Sequence, residues 1–395
     1  MKKSILNIVI LSALSFGAVA ADNVAGDKLD YWNPERPAVQ LGAEVIDLTG
    51  KGPEAIALFL ATVDRLQADD EVLQIAKNAV ENNKKIAPEY AKIMERQAQI
   101  RGVEVHELYA ALLQMDWSVN KLLAEADKKL MAENFTKIRG CTTIAFNDSG
   151  IVAQSNDLGI SQLQEFPTRI VKTDDVMFIP TDGGHFQGMG RHVGAVLNII
   201  GEPSAKTASV DADNLVTIDA VFAAITHSKS IEDAISKLQG YTTPVAMNFT
   251  VADDSAALEI SAEGLVVVRG AGGIGHANHN AAMKKRILGM MPITEANEIF
   301  ADSFAREAAA QNFVDFAKEK TVDGMKYILN QKPINITLYD KDFVTVETMI
   351  FDTKKGCAHI SGDNPLFGEY SQVCFDYGLL SSSLLSIAGF PTLIR

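Results

Sequence analysis

Cysteine and tryptophan are scarce in this chain of 395 residues, which has three of the first and two of the second. After residue 20, no apolar run approaches the roughly 20 residues of a membrane-spanning helix, so no membrane span is expected. Excess positive charge is also missing, because the net charge is −14, and an overall negative field disfavours binding to nucleic acid or anionic lipid. With 47% hydrophobic residues, the chain has enough apolar residues for the core of one large domain or two smaller ones.

The first twenty residues predict a cleaved secretory signal. Two lysines precede an apolar run from Ile5 to about Phe16, and a small-residue site at 17–20 leads into a polar stretch. We expect cleavage between Ala20 and Ala21, and a mature protein in the periplasm or outside the cell. A buried N-terminal helix is the alternative, but it does not explain the three-part pattern.

Two segments with different periodicity follow the signal. From Gly52 to about Glu133, apolar residues recur at helical spacing, with breaks near Pro53, Pro88 and Gly102. After Gly140 the pattern becomes strand-like, starting with a predicted hairpin around Asn-Asp-Ser-Gly at 147–150. Later strand-like runs alternate with helices predicted at 217–224, 231–238 and 296–318, which indicates an α+β domain with largely antiparallel sheets.

The three cysteines cannot all pair with one another. In an oxidising compartment Cys357 and Cys374 could form a disulfide, or both could be buried as small apolar side chains. Either arrangement leaves Cys141 as a thiol that needs its own explanation.

Cys141 lies where the two segments meet, directly after Gly140. A catalytic thiol needs a nearby base, and a cysteine that becomes the first residue of a chain can use its own α-amine. This solution requires cleavage of the bond before the cysteine, and a preceding glycine allows the thiol to approach the carbonyl carbon. A buried strand cysteine is the alternative.

The run Gly-Cys-Thr-Thr at 140–143, followed by Gln-Ser-Asn-Asp at 154–157, resembles the start of the catalytic chain in penicillin acyltransferase-like N-terminal nucleophile hydrolases. These enzymes are related to choloylglycine hydrolases and acid ceramidase-type amidases. The resemblance covers most of the chain after the signal, and includes helices before the cysteine and "GMGRHVGAVLNII", "GHANHN" and "TVETMIFD" after it.

The resemblance implies a four-layer αββα sandwich, with residues 1–20 as signal, 21–140 as a helical propeptide and 141–395 as the catalytic domain. It implies self-cleavage between Gly140 and Cys141, after which the propeptide stays associated with the catalytic chain. A homo-oligomer is a further possibility. The implied activity is hydrolysis of a linear amide bond in a small-molecule substrate, or transfer of the acyl group to an amine.

The resemblance also assigns five site residues. Cys141 matches the nucleophile, Asp157 the aspartate that holds its amine, and Asn278 the asparagine that donates to the oxyanion. Asn198 is a candidate near the oxyanion hole, and Arg306 occupies the place of an arginine in a Ser-x-x-Arg pattern. Two departures, Ala277 for the usual threonine and Gly190 for the usual asparagine, put substrate contacts in doubt more than the cleavage chemistry.

Several competing interpretations remain open. Cys141 could serve a papain-like protease, or the chain could be a binding protein without turnover. Asp157 could be a turn residue and Arg306 a surface charge. Two histidines, His276 and His279, do not make a zinc site without a third ligand. The glycines at 270, 272 and 275 have the spacing of a dinucleotide-binding turn, but no apolar-faced helix is predicted after them. We therefore expect neither a metal nor a cofactor.

Overall fold

The computed structural model describes residues 43–62, 67–125, 140–158, 168–180, 187–200, 212–252, 255–279, 281, 293–338, 343–366 and 368–376. Its eight helices are α1 (Gly52–Ala61), α2 (Asp70–Ile86), α3 (Pro88–Arg101), α4 (Val105–Glu125), α5 (Ile218–Thr226), α6 (Ile231–Leu238), α7 (Ile293–Phe316) and α8 (Val322–Leu329).

The described residues also include fifteen strands, which form two sheets. They are β1 (Glu44–Asp47), β2 (Thr142–Phe146), β3 (Ile151–Leu158), β4 (Arg169–Lys172), β5 (Val176–Ile179), β6 (Gln187–Gly190), β7 (Gly194–Ile199), β8 (Met247–Ala252), β9 (Ala256–Ser261), β10 (Gly264–Val268), β11 (Gly273–His276), β12 (Thr337–Leu338), β13 (Phe343–Asp352), β14 (Cys357–Ser361) and β15 (Tyr370–Cys374).

One sheet has eight strands in the order β1-β4-β5-β6-β7-β8-β9-β10, and the other has the order β11-β2-β3-β13-β14-β15, with β12 pairing with β13. All named pairs are antiparallel except β1 with β4. The fold is therefore a mixture of helices and two sheets, largely antiparallel as predicted.

Local sequence signals mark where several helices and strands begin and end. The predicted hairpin joins β2 to β3, and Asp148 and Gly150 both have a positive φ within it, of 63° and 74°. Helix α3 begins at Pro88, and Gly102, directly after its last residue, has the left-handed conformation that glycine adopts without steric cost. Thr217 caps α5 by accepting a hydrogen bond from the Ala220 backbone N–H.

Three buried clusters hold these elements together. The first packs α1–α6 against the eight-stranded sheet, through residues such as Leu113, Phe222 and Phe249. The second lies between the two sheets and includes Met189 and Phe351. The third packs α7 and α8 against the seven-stranded sheet.

One prediction about the region before Gly140 is wrong. Residues 21–140 were expected to be helical, but Glu44–Asp47 form β1, which pairs in parallel with β4 of the eight-stranded sheet. The strand is only four residues long, and its largely exposed side chains do not alternate between polar and apolar, so it gives no strong strand signal. Between 52 and 125 the described elements are helices, as predicted.

The glycine-rich run before Asn278 does not form a dinucleotide-binding turn, because Gly273–His276 continue as strand β11 and the described residues directly after it, 277–279, are not helical. The predicted signal with its Ala20–Ala21 cleavage site, and residues 126–139, lie outside the described residues. Among the helices that the structure describes, none is both long and apolar enough to cross a membrane.

Candidate active site

Three adjacent strands bring the predicted residues to one edge of the seven-stranded sheet. Cys141 directly precedes β2, and Asn278 follows the end of its antiparallel neighbour β11, where His276 lies opposite Thr143. On the other side of β2, Ser155 of β3 lies opposite Thr142. Antiparallel pairing thus places residues that are far apart in sequence beside Gly140 and Cys141.

Arg306 of α7 connects these strand ends. Its side chain is completely buried, and Nη1 donates to the Cys141 carbonyl oxygen at 2.8 Å and to Thr142 Oγ1 at 3.0 Å. Nη2 donates to Asn278 Oδ1 at 2.8 Å, and Nε donates to Asp302 at 2.8 Å. The arginine is therefore inside the site and not on the surface of its helix.

Arg306 also fixes the orientation of the Asn278 amide. A guanidinium group only donates hydrogen bonds, so the Asn278 atom that faces it is the oxygen. The amide nitrogen then points elsewhere and donates to the Ile199 carbonyl oxygen at 2.9 Å. Gly140 is so close that a Cβ added there would lie 2.8 Å from Asn278 Nδ2. The Asn278 N–H donors thus lie against the residue that supplies the carbonyl before Cys141.

The thiol itself contacts a residue that sequence reasoning missed. Cys141 Sγ donates to Asn156 Oδ1 at 3.2 Å, and Asn156 Nδ2 donates in turn to Glu347 Oε1 at 2.7 Å. Glu347 Oε2 accepts a further hydrogen bond from Thr168 Oγ1 at 2.9 Å. Because the carboxylate of Glu347 attracts the NH2 group of Asn156, the amide oxygen is left facing the sulfur.

Asp157 lies on the other side of β3 from Asn156. Its Oδ1 accepts from Thr345 Oγ1 at 2.6 Å and from Ser155 Oγ at 2.9 Å, whereas Oδ2 is buried and has no hydrogen-bond partner in the part of the chain that the structure describes. Burial raises the pKa of Asp157 to about 7, although the positive charge of Arg306 opposes this rise. The site therefore holds one buried carboxylate oxygen with unused acceptor capacity.

The charge state of the thiol follows from the same surroundings. Burial, followed by the negative charge of Asp157, raises the pKa of Cys141 to about 11, while Gln154 and Arg306 act in the opposite direction. The residue still keeps part of its surface accessible. In the uncleaved chain the thiol is thus protonated at neutral pH and needs a base before it can attack.

Asn198 has a supporting position behind these residues. It is fully buried on β7, and its Nδ2 donates to the carbonyl oxygen of Ala277, which directly precedes Asn278. Its Oδ1 accepts from Asn248 Nδ2 at 2.7 Å. Its described contacts thus fix the backbone next to Asn278 and do not include Cys141.

The two histidines beside Asn278 are engaged in separate contacts. His276 Nε2 lies 2.7 Å from Glu259 Oε1, and His279 Nε2 lies 2.9 Å from Glu307 Oε2. Within the described ranges, no group of three or more histidine, cysteine or acidic side chains is arranged to hold a metal ion.

The question of the other two cysteines is answered by a disulfide between Cys357 and Cys374, which joins β14 to β15. Cys141 is the free cysteine of the chain. A cavity of about 280 Å³ lies between α1, α3, α5 and the eight-stranded sheet, but none of the site residues lines it.

Comparison with known proteins gives distant structural similarities. No family model matches the chain, and no curated protein matches it. A mutant of conjugated bile acid hydrolase from Clostridium perfringens is similar at 12% identity, with 60% of this chain and 97% of that chain covered and a TM-score of 0.36. Penicillin V acylase from Agrobacterium tumefaciens is similar at 12% identity, with 56% and 82% covered and a TM-score of 0.35. Similarities this low do not assign an activity to this chain.

Proposed function

We propose that the chain is a self-cleaving amidase whose nucleophile is Cys141, released as an N-terminal residue by cleavage after Gly140. The observation that carries the proposal is the convergence of buried polar groups on the two residues that flank the proposed cleavage point. Arg306 donates to the Cys141 carbonyl oxygen, and the Asn278 amide packs against Gly140. A cysteine that only filled the core would not need a buried arginine and an oriented amide beside its backbone.

The proposed cleavage begins with attack of Cys141 Sγ on the carbonyl carbon of Gly140. An N–H of Asn278 stabilises the developing oxyanion, and a donor of this kind typically contributes about 100- to 1,000-fold in rate. The C–N bond then breaks, and the nitrogen of Cys141 leaves as an amine that takes up the thiol proton. The Gly140 acyl group is then a thioester on Cys141 Sγ, which water hydrolyses. Asp157, with a pKa of about 7, is the group whose proton affinity suits a base at neutral pH.

Cleavage also gives the unused oxygen of Asp157 a partner. The new α-amine of Cys141 has a reference pKa near roughly 8 and carries a positive charge when protonated. In this proposal Asp157 Oδ2 accepts a hydrogen bond from that amine, and the neutral amine takes the thiol proton during turnover. Substrate acyl groups then form a thioester with Cys141, which water hydrolyses.

The remaining features are proposed as follows. The order helices, sheet, sheet, helices corresponds to a four-layer αββα sandwich, and residues 21–140 stay bound as a small chain after removal of the signal. The disulfide supports export to an oxidising compartment. Because acyl coenzyme A thioesters are cytoplasmic, an exported enzyme passes the acyl group to water in preference to an amine. The substrate class is a linear amide of an N-acyl amino acid or amine.

Intact mass of the purified protein tests the self-cleavage. In wild type we expect two chains, produced by cleavage after Gly140. In Cys141→Ala we expect one chain, with the same circular dichroism spectrum as wild type. A wild-type protein that stays uncleaved while hydrolysing amides would favour a papain-like protease. A folded protein without thiol-dependent amidase activity would favour a binding protein.

A further inference from the structure

Gln154 is a second buried group beside the thiol that has unused hydrogen-bonding capacity. It lies on β3 with no exposed surface, and among the described residues neither its Nε2 nor its Oε1 has a hydrogen-bond partner apart from the Cys141 thiol. Leaving a buried donor or acceptor unpaired lowers the stability of the fold, because the group loses its hydrogen bonds to water and gains none in return. A buried amide that carries this cost in a well-packed sheet indicates a group whose hydrogen bonds are completed by a bound ligand.

The position of Gln154 directs its amide towards the reactive sulfur. Gln154 and Asn156 are two residues apart on one strand, so their side chains leave the same side, and Asn156 touches Cys141 Sγ. The Gln154 amide is close enough to the sulfur to counteract the rise of the thiol pKa. The side chain directly opposite, Thr143, uses its hydroxyl in contacts with Thr250 and Asn248 instead.

We propose that Gln154 recognises a carboxamide on the acyl part of the substrate that Cys141 attacks. An amide side chain offers one N–H donor and one carbonyl acceptor side by side, and a substrate carboxamide presents the complementary pair. The preferred substrates are therefore amides whose acyl group carries a second amide near the scissile carbon, and not those with a plain alkyl chain. This inference rests on the proposed amidase function.

Two isosteric substrates test the preference. Succinamoyl and 4-methylpentanoyl p-nitroanilides have acyl groups of similar size and the same branching, and only the first can pair with Gln154. We expect kcat/KM of wild type to favour the succinamoyl substrate at least about tenfold, because a site built to bond a polar group rejects analogues without it. Gln154→Met should abolish this preference while Tm is retained or increases, since a buried amide with unused hydrogen-bonding capacity is removed.

Gln97→Met is the matched control. Gln97 is also fully buried, but its Nε2 donates to the Leu60 carbonyl oxygen at 2.9 Å in the helical region. That substitution should lower Tm and leave the substrate preference unchanged. Equal preference in wild type and Gln154→Met, in an active enzyme, would overturn the role of Gln154. A loss of Tm without a change in preference would show a structural role only.

Alkylation separates this inference from the proposed function. Cys141 is the free thiol, so iodoacetamide attaches a carboxamide to it and isobutyl iodide attaches an isosteric alkyl group. We expect Gln154→Met to slow the first reaction at least about threefold relative to the second. If the wild type neither cleaves itself nor turns over amides, the amidase proposal fails, and this ratio still decides whether Gln154 binds a carboxamide. An unchanged ratio overturns it.

Discussion

Replacing Gly140 with alanine is expected to slow self-cleavage through a defined contact. The added Cβ would lie 2.8 Å from Asn278 Nδ2, 3.0 Å from Oδ1 and 3.1 Å from Cγ. The amide must withdraw by at least about 0.5 Å to regain ordinary contact distance. It is held on both sides, by the Ile199 carbonyl oxygen and by Arg306, so this movement weakens both hydrogen bonds and displaces the proposed oxyanion donor.

A displaced donor is expected to cost about 10- to 100-fold in the cleavage rate, less than the 100- to 1,000-fold typical of complete removal. The rate is measured as the fraction of two-chain protein over time by intact mass. Because Asn278→Ala removes the obstacle as well as the donor, adding Gly140→Ala to that variant should change its rate less than twofold.

The control is Gly272→Ala, whose new Cβ would meet nothing closer than the Val314 carbonyl oxygen at 3.3 Å. It should cleave at the wild-type rate. A Gly140→Ala protein that cleaves as fast as wild type would refute the reasoning. The reasoning would also be refuted if Gly140→Ala slowed cleavage equally in the presence and absence of the Asn278 side chain, because the effect would then not act through that side chain.

In uncleaved Cys141→Ala, stability should fall as pH rises from about 4 to 7, by up to about 4 kcal/mol. The reason is that burial raises the pKa of Asp157 from 3.8 to about 7, so the folded protein keeps a proton that the unfolded chain releases in this pH range. Urea unfolding at several pH values measures the free energy of unfolding. Glu347→Met should slow self-cleavage about tenfold, because the Asn156 amide loses the acceptor that orients it. Glu347→Gln retains an acceptor and should keep most of the rate. Intact mass over time measures the cleavage rate of both variants. Arg306→Met should lower the unfolding free energy of the Cys141→Ala protein by about 3 kcal/mol, since several buried acceptors lose their donor; urea unfolding measures this.

Each of these three predictions can be contradicted by a specific result. Asp157→Asn should flatten the pH dependence, and an unchanged slope would assign it to another group. Equal rates for the two Glu347 variants would mean that the carboxylate does not orient Asn156. An Arg306→Met protein as stable as its parent would show that water replaces the arginine at no cost.

Much of the sheet region could be predicted because its signals are local. The hairpin at 147–150 was visible from a short turn sequence between apolar runs, and β13 from an uninterrupted run of strand-forming residues. The helices α5 and α6 were placed within a few residues. The sequence left Arg306 as either a site residue or a surface charge, and it lies in the site because its helix packs against the start of β2.

Other site residues gave no such signal. Asn156 and Glu347 are 191 residues apart in sequence and meet only because β3 pairs with β13. Gln154 looks like any polar residue in a strand. What distinguishes it is that, in the described part of the chain, its buried amide has no hydrogen-bond partner besides the thiol, and this depends on the packing around it. The roles predicted for Asp157 and Asn278 remain predictions, although the structure brings both to the region of Cys141.

Strand β1 has a consequence for how the protein comes apart. Its residues belong to the region before the proposed cleavage point, yet they extend the eight-stranded sheet by pairing with β4. After cleavage, the two polypeptides would share one hydrogen-bonded sheet and one apolar cluster, as if they were still a single chain. Separating them would expose the edge of β4 together with that apolar surface. Dissociation and unfolding should therefore coincide in one transition whose midpoint depends on protein concentration.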